Sequence, residues 1–426
     1  MASRSSALVI AVTVFVCAAA PAGAQATARS YRSLFGPAER DDTRADQFTL
    51  TGSLYAGLDD TSRLATGSVL DDSLQTGRAH QGVTLALAAR RRRPRTTWTI
   101  AASSAVRYYS SLNQIGTQKH GGGVGFQVLA SRRLTFRIAQ DVNYSPSYQL
   151  ALGQAPAPDG SELTFDPAGV DYSVSRDKQI TYGTYAGGTY AWNSSRDLTF
   201  GYGLNYANYF TRSDFGVQLA SVRYTQRLTP GVSLRLGYGL GSGSMASLRS
   251  AAHHDLDVGL VINRSFAFSP RTAVGFTSGS TVVAVEDQRQ FELIGSVTLR
   301  HQLSPRWTSS IGYQRGLTAI DGTPRPFVAA TVNAEVNGFV GPRTKVTIQP
   351  GYARGADVAD AKRTFQSGVS LTRVEAAVTR HWAIFAEHFY YRYRFAGAPD
   401  LPPALAAGLT RHGMRWGLSL WTPVIR

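Results

Sequence analysis

The chain contains little cysteine, little lysine and few charged residues. Its 426 residues include a single cysteine, Cys17, and only four lysines, and charged residues make up 17% of the total. One cysteine excludes an internal disulfide and any metal site built from several thiolates. Apart from residues 7–20, no run approaches the roughly 18 apolar residues that a membrane-spanning helix needs. Glycine shows no three-residue period and aromatics reach 11%, which excludes a collagen and argues against a disordered chain.

Residues 1–26 have the composition of a secretory signal peptide. Arg4 precedes the apolar run 7–20, and small residues follow that run as far as Ala26. Cys17 lies inside the run, so the mature chain would contain no cysteine, which suits a protein exported from the bacterial cytoplasm. A short buried helix is the alternative. We predict a signal peptide at 1–26 and a polar lead at 27–46.

From residue 47 to 426 the chain alternates between apolar and polar or small residues. Val232, Leu234, Leu236, Tyr238 and Leu240 form one such run, and similar runs follow almost to the C-terminus. A two-residue period is typical of β-strands with one apolar face.

Short turns of similar composition separate these strands. Eight turns, rich in Pro, Ser and Arg, lie near residues 94, 132, 195, 230, 270, 305, 342 and 380. Nine longer connections lie between them, and both termini fall on the side of the short turns. The count predicts an all-β fold, a transmembrane antiparallel up-and-down β-barrel of about 18 strands, with 16 as the alternative. Backbone groups have no partner in hydrocarbon, so a sheet spans a membrane only by closing on itself.

The tryptophans provide an independent check on this strand map. All six lie near short turns or in the last strand: Trp98, Trp192, Trp307, Trp382, Trp416 and Trp421. Indole rings prefer the boundary between membrane and water, so we predict an aromatic girdle at the periplasmic end. A large soluble β-sandwich or propeller is the alternative, although neither fold requires aromatics to be sorted by end.

With its signal peptide, Pro-Arg turns and aromatic strands, the chain resembles Gram-negative outer-membrane β-barrel porins. More loosely, the eighteen-strand layout is similar to the putative barrel porins associated with polysaccharide secretion. The resemblance implies a location in the bacterial outer membrane and a C-terminal assembly signal, which Arg415, Gly417, Leu420 and Trp421 match in part. The chain departs from the pattern by continuing to Arg426.

If the apolar residues face lipid, the residues between them line a lumen. The predicted lumen-lining residues are Arg107, Arg137, Arg223, Arg235, Arg300, Arg392, Arg394 and Arg415, with Asp141, Glu292 and Glu335 among the acidic ones. Since arginine binds carboxylates and phosphates, the set favours polar, anionic or hydroxyl-rich permeants, and polysaccharide export is one such use. The alternative is that each arginine pairs with a lumen acid and only stabilises the wall.

No cofactor, metal site or catalytic residue is predicted. Expected partners are outer-membrane lipids and lipopolysaccharide, the outer-membrane assembly machinery and periplasmic export components, but not nucleic acid. Two other functions stay open: a barrel hydrolase built on His253-His254-Asp255, and a non-conducting structural or adhesion barrel.

Two positions leave the strand register open. Glu387 lies between Phe385 and Phe389 and would face lipid if they do. The apolar residues Ala220 and Val222 are out of phase with the Phe215, Val217 and Leu219 series. β-Bulges are the expected solution.

Overall fold

A computed structural model describes most of the chain from Asp46 to Ile425. The described residues are 46–64, 78–109, 114–145, 148–149, 173–175, 178–210, 214–245, 248–266, 269–285, 288–318, 327–358, 360–397 and 408–425. The predicted signal peptide and nearly all of the polar lead lie outside them. Within these ranges, no helix is long and apolar enough to cross a membrane.

Eighteen strands form the main sheet, and we number them β1 to β18. They are Asp46–Leu64, Arg78–Arg92, Thr96–Tyr109, Gln114–Leu129, Leu134–Ser145, Gln179–Asn193, Arg196–Tyr209, Phe215–Thr229, Val232–Met245, Leu248–Phe266, Ser269–Val285, Gln288–Ser304, Trp307–Thr318, Phe327–Val340, Thr344–Asp357, Thr364–Ala377, Trp382–Ala396 and Gly408–Ile425. A separate short ribbon pairs Tyr148–Gln149 with Ser173–Ser175.

The sheet closes on itself as an up-and-down antiparallel barrel. Each strand pairs with the next along the chain, and β1 pairs with β18 from Leu64–Gly408 to Phe48–Ile425. Closure leaves no sheet edge with unpaired backbone groups. The predicted fold class is confirmed, with 18 strands and not 16.

The turns divide the barrel into a short-turn end and a long-loop end. The eight predicted short turns each join an even-numbered strand to the next, and Asp46 and Ile425 both lie at this end. The connections at the other end vary widely, from two residues between β9 and β10 to the segment of more than thirty residues between β5 and β6.

The two faces of the barrel wall differ in the solvent exposure of their apolar side chains. Leu54, Leu85, Ile138 and Leu293 are each about half exposed or more, whereas Phe389 is 0% exposed. A side chain on the outside of a barrel has no neighbouring layer to bury it, so the fully buried face is the interior. The alternation along the other strands then assigns each residue to the interior or to the outer face.

Both uncertain registers are resolved without a bulge. Phe385, Glu387 and Phe389 all face the interior, while Ile384 and Ala386 on the same strand face outward. β8 pairs regularly with β7 from Phe215–Ala207 to Gln226–Arg196, which turns Leu219 inward and Ala220 outward. Phe385, Phe389 and Leu219 therefore lie inside the barrel, whereas Ala220 and Val222 lie on its outer face.

Candidate functional site

Two networks of buried charge line the interior, and one of them centres on Glu387. The side chain of Glu387 accepts hydrogen bonds from Arg415 and, at 3.4 Å, from Nη1 of Arg373. Nη2 of Arg373 also donates to Glu375 at 3.0 Å, and Ser419 Oγ donates to the same carboxylate oxygen at 2.6 Å. The network joins β16, β17 and β18, and its two guanidinium groups face two carboxylates.

The second network centres on Asp59, at the long-loop end of β1. Arg411 Nη2 and Tyr109 Oη donate to Asp59 Oδ2 at 2.5 Å and 2.9 Å. Arg107 lies 3.7 Å from the same oxygen, and His80 Nδ1 lies 3.9 Å from Oδ1. All five side chains are buried and come from β1, β2, β3 and β18.

The predicted lumen arginines therefore fall into different groups. Arg107 and Arg415 face the interior beside buried carboxylates: Arg415 pairs with Glu387, whereas Arg107 shares Asp59 with Arg411. Arg137, Arg223, Arg235 and Arg300 also lie on the interior face, as their cross-strand partners show. Asp141, Glu292 and Glu335 lie on that face as well, where Asn143 donates to Asp141 and Asn337 donates to Glu335.

Arg392 and Arg394 lie on the other side of the wall. They are exposed and share the outer face of β17 with Ile384, whereas Tyr391, Tyr393 and Phe395 face inward. This placement corrects the sequence-based assignment of both arginines to the lumen. The assumption that charge points inward fails here because the two residues lie close to the long-loop end, where the outer face no longer has to be apolar.

A cavity of about 350 Å³ lies on the interior wall at the short-turn end of β1 to β5. Its polar lining consists of Gln47, Thr49, Arg90, Thr97, Thr99, Gln127 and Arg137, and its other lining residues are Ala, Gly, Ile and Phe. The guanidinium groups of Arg90 and Arg137 thus share this cavity with hydroxyl and amide groups. Donors of this kind suit an anion or a hydroxyl-rich solute.

Towards the long-loop end, the interior is narrowed by apolar side chains. One buried cluster joins Ala207 and Tyr209 of β7 with residues of β14 to β18. Those residues are Phe327, Ala329, Ala353, Phe365, Phe389, Tyr391, Tyr393, Phe395 and Leu409. In a ring of eighteen strands, β7 lies directly opposite β16, so the cluster brings the two walls together across the interior.

The tryptophans are sorted by height, but not as a complete girdle. Trp98, Trp192 and Trp382 are about half exposed on the outer face near short turns, and Trp307 covers Gly338 on the same face. Trp416 also faces outward, but it pairs with Ala386, four residues along β17 from Trp382. Trp421 pairs with Thr51 on the interior side. Trp98, Trp192, Trp307 and Trp382 therefore lie on the outer face near short turns, and the periplasmic girdle stays a prediction.

One residue of the proposed hydrolase cluster, His254, can be placed on the barrel wall. His253, His254 and Asp255 are consecutive residues of β10. His254 is exposed on the outer face, and its Nδ1 lies 2.7 Å from Tyr238 Oη. No group of three or more potential metal ligands occurs among the residues that the structure describes.

The sequence did not identify Asp59, His80, Tyr109, Arg411, Arg373 or Arg90 as interior residues. The two ends of the Asp59–Arg411 pair are 352 positions apart, so no local pattern links them. Only the pairing of β1 with β18 brings them together.

The protein is a closed eighteen-strand antiparallel β-barrel with an apolar outer band and a partly polar interior. No protein-family model matches the chain, and no curated protein matches it as a relative. Among solved structures, the chain is similar to OpdL of Pseudomonas aeruginosa, with 13% identity over 89% of this chain and 99% of that one and a TM-score of 0.42. OpdQ of the same organism has 9% identity over 89% and 98%, with a TM-score of 0.46. The FrpB iron transporter of Neisseria meningitidis has 8% identity over 81% and 62%, with a TM-score of 0.42. At such values the fold assignment depends on the strand pairing described above.

Proposed function

We propose that this protein is an outer-membrane β-barrel channel that passes small anionic solutes. The closed barrel and the exposed apolar outer face support insertion into a membrane, because a closed sheet satisfies its own backbone groups. In barrels of this kind the short turns face the periplasm and the longer loops face the exterior. The predicted signal peptide agrees with that location.

The cavity at the short-turn end carries the proposal about the solute. Arg137 presents positive charge there and has no ion-pair partner among the residues that the structure describes, unlike Arg415, which lies against the buried carboxylate of Glu387. Arg90 lines the same cavity. An anion entering from this end would meet two guanidinium groups together with hydroxyl and amide groups. The expected effect is selectivity for anions over cations.

The test is the reversal potential of the purified protein in a planar bilayer under a salt gradient. The wild type is expected to be anion-selective, and Arg90→Glu combined with Arg137→Glu is expected to shift the reversal potential towards cations. Arg91→Glu is the matched control, because Arg91 is the next residue along β2 and faces outward, 3.7 Å from Asp46. Absence of any conductance, or equal shifts in the variant and the control, would contradict the proposal.

Export of polysaccharide is a narrower form of this proposal, and its support is the resemblance found in the sequence. A hydroxyl-rich polymer also suits the Thr and Gln side chains of the cavity. A strain lacking the protein should then display less surface polysaccharide, and an unchanged amount would count against export.

A further inference from the structure

The outer face of β15, β16 and β17 carries an unusual concentration of charge near the long-loop end. Arg354, Gln366 and Arg394 form one row across the three strands, since Gln366 pairs with both arginines. Arg392 and Tyr352 belong to the adjacent row, on either side of Gly368. Arg354, Gln366, Arg392 and Arg394 are all exposed, and we refer to these four residues with Tyr352 as the outer basic patch.

Along the barrel axis, the outer basic patch is separated from Trp382 by about the height of the apolar band. Trp382 begins β17, and Arg392 follows ten residues later on the same face. A strand tilted by about 40° rises about 2.5 Å per residue along the barrel axis, so Arg392 lies about 25 Å above Trp382. The apolar band of such barrels is also about 25 Å tall. Arg392 and Arg394 therefore lie at the outer boundary of the membrane, where lipid headgroups begin.

The described residues that pair with the outer basic patch carry no negative charge. Its neighbours in the paired rows are Gly368, Thr410, Gly408 and Ala330, none of which is acidic. The outward carboxylate of Asp60, on β1, lies 3.9 Å from His412. Arg354, Arg392 and Arg394 have no ion-pair partner among the residues that the structure describes. Three exposed cations therefore lie close together on the described part of the outer face, where they can bind an anion from outside the chain.

We propose that the outer basic patch binds the phosphate groups of a phosphorylated glycolipid of the outer leaflet, the lipid A portion of lipopolysaccharide. Guanidinium groups bind phosphate through two parallel hydrogen bonds. Cα atoms two strands apart are about 10 Å from each other, so the long side chains of Arg354 and Arg394 can converge on one phosphate. Gly368 leaves open surface between Arg392 and Tyr352, and nothing lies within 4 Å of a Cβ placed there.

This inference depends on the membrane location under the proposed function, but not on conduction. The test is native mass spectrometry of the full chain in detergent micelles, titrated with bisphosphorylated lipid A. The triple variant Arg354→Gln, Arg392→Gln, Arg394→Gln should bind lipid A at least about tenfold more weakly, because three charge-assisted contacts are lost. The matched control is Arg133→Gln, Arg343→Gln, Arg380→Gln, which removes three arginines at the short-turn end and should retain wild-type affinity.

Further binding and conductance measurements identify which group of the lipid is bound, and they distinguish the lipid-site proposal from the channel proposal. Lipid A treated with a phosphatase should bind wild type as weakly as intact lipid A binds the triple variant, and millimolar inorganic phosphate should not displace intact lipid A. Equal affinity of wild type and triple variant, no loss on phosphatase treatment, or displacement by inorganic phosphate would overturn the inference. Conductance of the triple variant should equal that of wild type. If neither protein conducts while lipid A binding still depends on the patch, the channel proposal fails and the lipid site stands.

Discussion

At the scale of single residues, the interior arginines that contact buried carboxylates stabilise the wall. Arg415 and Glu387 are 4% and 3% exposed, and the guanidinium also lies over the rings of Tyr55 and Phe389, 5.3 and 5.5 Å from their centroids. Burial removes water from both charges, so each depends on the other. Arg415 therefore links two neighbouring strands through its ion pair with Glu387, and this pairing leaves little net positive charge at its position in the interior.

Glu387→Ala should therefore destabilise the barrel strongly. The substitution leaves Arg415 buried beside Arg373 without a carboxylate of its own, and breaking a buried pair in this way costs about 3–5 kcal/mol. Unfolding of the protein by guanidinium chloride in lipid vesicles measures the change in the free energy of unfolding. Arg300→Ala is the control, because Arg300 is an exposed interior arginine. The double variant Glu387→Leu, Arg415→Met should recover much of the loss. A loss below about 0.5 kcal/mol for Glu387→Ala would show that water reaches the pair.

At the scale of strands, the sequence predicts the two-residue alternation better than it predicts which face of a strand points into the barrel. Turn composition and alternation were enough to count eighteen strands and to place a short turn between each even-numbered strand and the next. Alternation does not say which face is inside, however, when both faces of a strand carry large apolar groups. β17 presents Phe385, Phe389 and Phe395 inward and Ile384 outward, so the apolar rule alone could not orient it. Arg392 and Arg394 were misplaced for the same reason, because their height on the strand decides the outcome.

Strand β8 allows a direct test of face assignment. Leu219 and Ala220 are adjacent and exposed, but Leu219 pairs with Gly203 and Gly241 on the interior face, whereas Ala220 pairs with Tyr202 and Leu240 outside. In a Cys17→Ser background, spin labels at Leu219→Cys and Ala220→Cys should differ. The label at 219 should collide mainly with a water-soluble nickel chelate, and the label at 220 with lipid-dissolved oxygen. The reverse pattern would shift the register of β8 by one residue.

At the scale of the whole molecule, the barrel has the polar cavity described above at its short-turn end, called the chamber here, and the buried apolar cluster near its long-loop end, called the closure. The chamber lies beside β1 to β5, and the apolar cluster spans from β7 to β14–β18 near the long loops. We expect a solute that crosses the barrel to meet both. The chamber would then determine which solutes enter, whereas the closure would limit how fast they pass.

Reducing the side chains of the closure should therefore raise conductance without changing charge selectivity. Tyr209→Ala with Phe395→Ala removes one ring from each wall, and single-channel recordings in planar bilayers should show a larger unit conductance with an unchanged reversal potential. Tyr209→Trp should lower the conductance. Tyr206→Ala is the matched control, because Tyr206 precedes Tyr209 by three residues on the outer face of β7. If neither interior variant changes the conductance while both remain folded, ions pass by a route that the cluster does not narrow, and the interior rings serve only to hold the opposite walls together.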